Sequence, residues 1–206
     1  MKILSLLLII ATLVFVASKI QAALVSPIPG LPGGELPNGS KMYAGYFPLD
    51  SNGAATYYHF YTAENTEQDA SNRIVNFITG GPGCSSVSAA FTENGPLHMN
   101  FEGKGKTVEY NPWSWSRLAN VLFTESPRSV GFSRPNSNWT TPTVIGDDQT
   151  TKDALNSLLQ FFEEFPEMRS KDYYISGESY GGHYSVRLVQ AIEVYNSGAP
   201  FGVLRG

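Results

Sequence analysis

The chain has 206 residues, 42% of them hydrophobic and 16% charged, with a formal net charge of −4. That is ordinary globular composition, and the length allows one domain with a real core. The acidic balance argues against nucleic-acid binding, which needs a basic surface.

The N-terminus reads as a secretory signal peptide: Lys2, then an apolar run from Ile3 to Val16 broken only by Ser5 and Thr12, then the small residues Ala22 and Ala23 at a cleavage site. The run is about 14 residues, short of the roughly 20 a spanning helix needs. An uncleaved anchor helix is the competing reading. No second apolar stretch approaches spanning length, so no membrane span is expected. Removing residues 1–22 takes away Lys2 and Lys19 and no acid, which moves the net charge from −4 to −6. The expected organisation is a signal peptide over 1–22 and one domain over 23–206. Asn38-Gly39-Ser40 and Asn138-Trp139-Thr140 fit the N-glycosylation sequon, which acts only in the secretory path.

Residues 24–39, rich in Pro and Gly, are expected to form an extended arm. Tyr43 to Pro48 and Tyr57 to Thr62 are short aromatic runs around Asp50-Ser51-Asn52-Gly53, a hairpin signal. Ile74 to Thr79 is apolar and ends in a glycine turn, as a buried strand does, and Asn120 to Thr124 is a second such run. Residues 133–146 are a polar loop containing proline. Within 150–165, Ala154, Leu155, Leu158, Leu159 and Phe162 recur at helical spacing, and Pro166 stops that helix. Tyr173 to Ser176 reads as a strand, and helical character resumes through Tyr184, Leu188, Val189 and Ile192. Strands alternating with helices imply an α/β fold with a largely parallel sheet.

Gly177-Glu178-Ser179-Tyr180-Gly181 fits G-x-S-x-G, the nucleophile elbow of α/β hydrolases, and lies between a strand and a helix as that motif requires. A serine hydroxyl is a weak nucleophile and needs exposure to a base. A strand running straight into a helix makes a sharp turn that tolerates only small neighbours, hence the flanking glycines. The pentapeptide by itself is a weak signal. Gly80-Gly81-Pro82-Gly83 directly follows another strand, and its glycines let backbone N–H groups face a cavity. Such a loop can supply one oxyanion donor and the Tyr180 N–H the other, although a plain Gly-Pro turn is the better reading of the loop taken alone.

Two further patterns are decoys. Gly103-Lys104-Gly105-Lys106-Thr107 ends like a phosphate loop, but that motif needs glycine where Asn100 stands. His183, one turn beyond Ser179, points along its helix rather than over the serine. In α/β hydrolases the acid and the histidine follow the serine. Past Ser179 the sequence holds no Asp, one Glu (Glu193) and one His (His183). Cys84 is the only cysteine, which in a secreted chain means a free thiol or a missing partner.

Several blocks occur in order: Gly80 to Ser86, Glu93-Asn94-Gly95-Pro96-Leu97, Asn111-Pro112-Trp113-Ser114-Trp115, Asn120 to Pro127, Val130-Gly131-Phe132-Ser133, Phe165-Pro166-Glu167 and Tyr174 to Tyr184. With them the chain resembles the serine carboxypeptidases from about Lys41 to Gly206. The resemblance implies an α/β-hydrolase fold and release of C-terminal residues from a peptide or protein through an acyl-enzyme at Ser179, with no cofactor and no metal. It implies an oxyanion hole from the Gly81 and Tyr180 N–H groups. It assigns the substrate's terminal carboxylate to Thr79, Glu93 and Glu178. Two carboxyl groups close together share a proton, and the protonated one can donate to that carboxylate, which accounts for the family's preference for acid pH.

The chain departs from the family pattern at Thr79 (usually Asn), Phe77 (usually Trp), Arg128-Ser129 (usually Ala-Gly) and Gly181 (usually Ala). In the family, the cysteine matching Cys84 pairs with one well downstream, and the catalytic Asp and His lie in the C-terminal portion. The resemblance therefore covers roughly the N-terminal half of a full-length member, an α/β-hydrolase domain truncated after the nucleophile strand and helix. Location is expected in the secretory pathway, extracellular or in a lysosome or vacuole. The alternatives are an acyltransferase using the same serine, which Thr79 favours, and a non-catalytic fragment or binding-only protein. On the last reading the 206 residues alone hydrolyse no blocked dipeptide at pH 5.

Overall fold

The computed structural model describes residues 22–64, 69–100, 107–135 and 145–198. The signal-peptide run, the Asn138 sequon, the glycine-lysine decoy over 103–106 and the closing Gly202 to Gly206 lie outside these residues.

The described strands are β1 (Ala23–Leu24), β2 (Met42–Pro48), β3 (Ala55–Tyr61), β4 (Arg73–Ile78), β5 (Leu97–Asn100), β6 (Thr107–Tyr110), β7 (Asn120–Thr124) and β8 (Asp172–Gly177). The helices are α1 (Ser86–Thr92), α2 (Asp147–Glu164) and α3 (Gly181–Gly198). One sheet runs in the order β1-β2-β3-β7-β4-β8, and β5 pairs with β6 beside it.

The sheet is mixed rather than largely parallel. β2 and β3 are joined by a short turn, which permits only antiparallel pairing. Asp50 builds that turn: its Oδ1 accepts the N–H groups of Asn52 and Ala54. β1–β2 and β3–β7 are also antiparallel. β4, β7 and β8 are connected through segments that carry helices, so β4 pairs in parallel with both β7 and β8.

Every residue of β7 is buried, as expected of a strand covered on both faces. Its side chains alternate. Leu122 joins Phe60, Ile74, Leu158, Phe161 and Leu188 on the α2/α3 face. Val121 and Phe123 join Tyr61, Phe77, Ala89 and Leu97 on the other. The proline-rich arm folds back instead of extending: the Ile28 N–H donates to Gly34 O, and Ile28, Leu31 and Leu36 pack into this second cluster. Among the described residues no helix is long and apolar enough to cross a membrane.

α1, β5 and β6 have no counterpart in the sequence reading. α1 has only seven residues, too few for a clear period, and begins where Ser85 Oγ accepts the Ser88 N–H.

Arg128 has a partner that the family comparison does not reveal. Its Nε and Nη2 each lie 2.7 Å from a carboxylate oxygen of Asp153 on α2, and its Nη1 lies 3.2 Å from Asp50 in the hairpin turn. The Arg128 and Asp153 side chains are only 11% and 8% exposed. Arg128→Ala would strand a buried carboxylate, so it is expected to cost about 3 kcal/mol. The check is a lower urea midpoint at unchanged slope.

Candidate active site

The elbow forms where β8 turns into α3. The β4–β8 ladder ends with Gly177 opposite Ile78, and the Glu178 N–H still reaches Ile78 O at 3.1 Å. The chain then reverses over Ser179, whose φ of +56° is rare for a residue with a Cβ. Such a conformation costs on the order of 1–3 kcal/mol and persists only where the surroundings enforce it. Here the enforcement is visible: Gly181 N–H bonds to Glu178 O at 2.8 Å and Gly182 N–H to Ser179 O at 3.0 Å. A Cβ on Gly177 would run into the Gly181 carbonyl oxygen, and one on Gly181 into the Ile78 carbonyl oxygen. Both flanking glycines are steric requirements.

The loop over Gly80–Ser86 packs its backbone directly on this turn. A Cβ on Gly80 would collide with the Tyr180 nitrogen and sit 2.7 Å from Glu178 O. Gly81 and Gly83 have φ of +107° and +91°, which only glycine adopts without strain. The neck of the loop closes through Cys84 N–H to Gly80 O at 3.0 Å and Thr79 N–H to Ser86 Oγ at 3.1 Å. Residues 81–84 are exposed. Among the described residues neither the Gly81 N–H nor the Tyr180 N–H has a hydrogen-bond acceptor. Two segments about 100 residues apart in sequence thus meet backbone to backbone at the elbow, Gly80 against Glu178, Tyr180 and Gly181.

Thr79 extends β4 toward this loop. It is buried, and its Oγ1 has no hydrogen-bond partner. Glu93 caps the end of α1 and Glu178 precedes the serine. Both are exposed, and neither carboxylate is hydrogen-bonded among the described residues. Asn38 is exposed in its turn. Cys84 is an exposed free thiol.

The chain's three histidines are all engaged away from Ser179. His183 Nε2 lies 3.1 Å from Asp147 Oδ2 at the start of α2, and the Tyr180 hydroxyl lies 3.3 Å from the other oxygen of that carboxylate. His59 is buried between the hydroxyls of Tyr57 and Tyr61. Burial lowers its pKa to about 4 and keeps it neutral above that. His98 reaches the Glu93 carbonyl. No base touches Ser179 among the described residues.

One acid near the site was given no role from sequence. Glu125 directly follows β7 and is completely buried. Its Oε1 accepts the Ser85 hydroxyl at 2.7 Å, and its Oε2 has no partner. Burial pushes this carboxyl above the usual range, opposed by Ser85 and by the N–H groups of Val87, Ser86 and Phe132. The available signal was an acid separated by one residue from the apolar run Val121-Leu122-Phe123.

The geometry agrees with what comparison finds. A sequence model described as serine carboxypeptidase matches residues 32–203. The chain is 41% identical over 175 residues to serine carboxypeptidase-like 42 of Arabidopsis thaliana, covering 84% of this chain and 35% of that protein. It is 37% identical over 177 residues to P-(S)-hydroxymandelonitrile lyase of Sorghum bicolor, covering 84% of this chain and 33% of that protein. Among solved structures it is similar to Kex1(delta)p, a prohormone-processing carboxypeptidase from Saccharomyces cerevisiae. That match has a TM-score of 0.72 at 25% identity and covers 91% of this chain and 41% of that one. The chain spans about a third of the length of the curated relatives it matches.

Proposed function

This chain belongs to the serine carboxypeptidase family and has its α/β-hydrolase fold, and from that premise we propose that it carries the nucleophile half of a serine-type carboxypeptidase site. Ser179 Oγ attacks the carbonyl of the last peptide bond and gives up its proton to a base from outside the described residues. The carbonyl oxygen becomes an oxyanion and takes hydrogen bonds from the Gly81 and Tyr180 N–H groups. Collapse breaks the C–N bond, the proton passes to the leaving amine, and the C-terminal residue departs. Water then hydrolyses the acyl-Ser179 ester. Thr79, Glu93 and Glu178 receive the terminal carboxylate of the substrate. Synthesis through the secretory pathway, with delivery outside the cell or to a lysosome or vacuole, completes the reading.

The observation that carries it is the backbone contact between Gly80 and the strained Ser179 turn, with the N–H groups of Tyr180 and of Gly81, the residues next to that contact and to the serine in the chain, left unbonded among the described residues. The test uses protein expressed from its complete reading frame. A blocked dipeptide at pH 5 should release its C-terminal amino acid, and the same dipeptide with an amidated C-terminus should be resistant. No release, or equal cleavage of both, overturns the reading.

A second reading, acyl transfer to an alcohol, is favoured by Thr79, whose unpartnered Oγ1 stands where the family resemblance sets an amide. It predicts ester formation from an activated acyl donor and an alcohol, without dipeptide hydrolysis.

A further inference from the structure

Glu125 is held rigidly from the sheet side. Its N–H donates to Tyr57 O of β3 at 2.9 Å, and its carbonyl accepts the Ser133 hydroxyl at 3.1 Å. The turn over Val130–Ser133 is shaped around its side chain. Gly131 has φ +53°, and a Cβ there would collide with the Glu125 carboxylate. The side chain points to the end of the Gly80–Ser86 loop, where the Ser85 hydroxyl donates to its Oε1 at 2.7 Å.

Removing a carboxylate from water is costly unless donors replace the water. A fully buried glutamate that leaves one oxygen unpaired is therefore expensive if its role is only to fill space. What it does hold is specific. The exposed loop over 81–84 is tied at its start by Gly80 against the elbow and at its end by Ser85 and Ser86. Ser85 is the one of these ties that reaches across to the residue after β7.

We propose that Glu125 is a positioning residue: through Ser85 it fixes the far end of the Gly80–Ser86 loop, and so holds the Gly81 N–H against the Ser179 elbow. This rests on the oxyanion role of Gly81 in the proposed function. The carboxylate touches no substrate. It acts on the transition state by keeping a donor from drifting, and preorganised donors are where such sites gain most of their rate.

The test compares Glu125→Gln, Ser85→Ala and Ser85→Thr in protein from the complete reading frame. Glu125→Gln replaces one carboxylate oxygen by an NH2 and so weakens the acceptor for the Ser85 hydroxyl, and Ser85→Ala removes the link together with the cap of α1, which Ser85→Thr supplies again. Each is expected to lower kcat on the blocked dipeptide about 10²-fold at unchanged KM, the size of losing one oxyanion donor. The affinity of a peptide boronic acid, whose adduct on Ser179 places a hydroxyl in the oxyanion position, should fall with kcat. Affinity for the cleaved product should not, and Ser85→Thr should restore both. A merely structural role would lower the melting temperature but leave kcat per folded molecule and boronate affinity alone. Both staying within about twofold of wild type in Ser85→Ala, which perturbs packing least, overturns the proposal. If the unsubstituted protein itself turns over no dipeptide, the functional reading fails instead. Glu125 is then judged by hydrogen exchange at 81–84, which Ser85→Ala and Glu125→Gln should accelerate; unchanged exchange overturns it.

Discussion

Ser179→Ala is expected to lower kcat by about 10⁶-fold, with KM and the unfolding transition close to those of the parent protein. The hydroxyl makes no hydrogen bond among the described residues, so its removal leaves no buried partner unsatisfied. Ser179→Gly should be equally inactive yet more stable than Ser179→Ala by about 1 kcal/mol, because glycine occupies φ +56° without the Cβ penalty. That difference reads out the strain stored at the elbow. Dipeptide turnover and thermal unfolding of the two variants supply the check. Equal stability would mean that the turn is not strained, and residual turnover in Ser179→Ala would remove the serine from the mechanism.

The second large effect is expected at Gly80. An alanine Cβ there meets backbone on every near side: the Tyr180 nitrogen, Glu178 O at 2.7 Å and Gly181 N at 2.8 Å. Backbone cannot swing aside as a side-chain tip can, so the loop and the elbow must part. Gly80→Ala should therefore lose about 10²–10³-fold in kcat, as when an oxyanion donor is withdrawn. Overpacking adds a stability cost of about 1–3 kcal/mol. Gly83→Ala is the control. Its Cβ would meet nothing within 4 Å, although its φ of +91° disfavours alanine. It should lose stability and keep kcat. Parent-level turnover in Gly80→Ala would show that the contact between loop and elbow does not matter to catalysis.

Much of the elbow was legible in the sequence because its requirements are local. Gly177 and Gly181 are demanded by collisions within a few residues of Ser179 and with the strand beside it. The β2–β3 hairpin was legible for a similar reason: Asp50 accepts from N–H groups two and four residues on. α2 and α3 announce themselves by period, each burying one stripe against the sheet. The α/β class follows from these pieces, and the family from their order.

Less local matters were not legible. The sequence reading expected a largely parallel sheet, but alternation of strands and helices does not say how the N-terminal hairpin joins. β3 meets β7 antiparallel and makes the sheet mixed. The arm over 24–39 looked extended because Pro and Gly dominate it, and it is the burial of Ile28, Leu31 and Leu36 against distant strands that folds it back. Arg128 stands in the sequence only as a departure from a family pattern; the fold brings Asp153 and Asp50 to it from two other elements. His183 points away from the serine along its helix, and its partner there is Asp147 on α2.

By itself, then, the sequence determined what short-range sterics and periodicity determine: a serine at a sharp turn between glycines, the helices that bury one face, and a glycine loop that needs bare backbone. The tertiary structure alone decided that this loop lies on that turn, and that a fully buried Glu125, 40 residues from Ser85 along the chain, reaches its far end. Such pairings depend on which surfaces exclude water together. No window of sequence carries that information, because the free energy of a buried carboxylate is set by donors the fold brings from elsewhere.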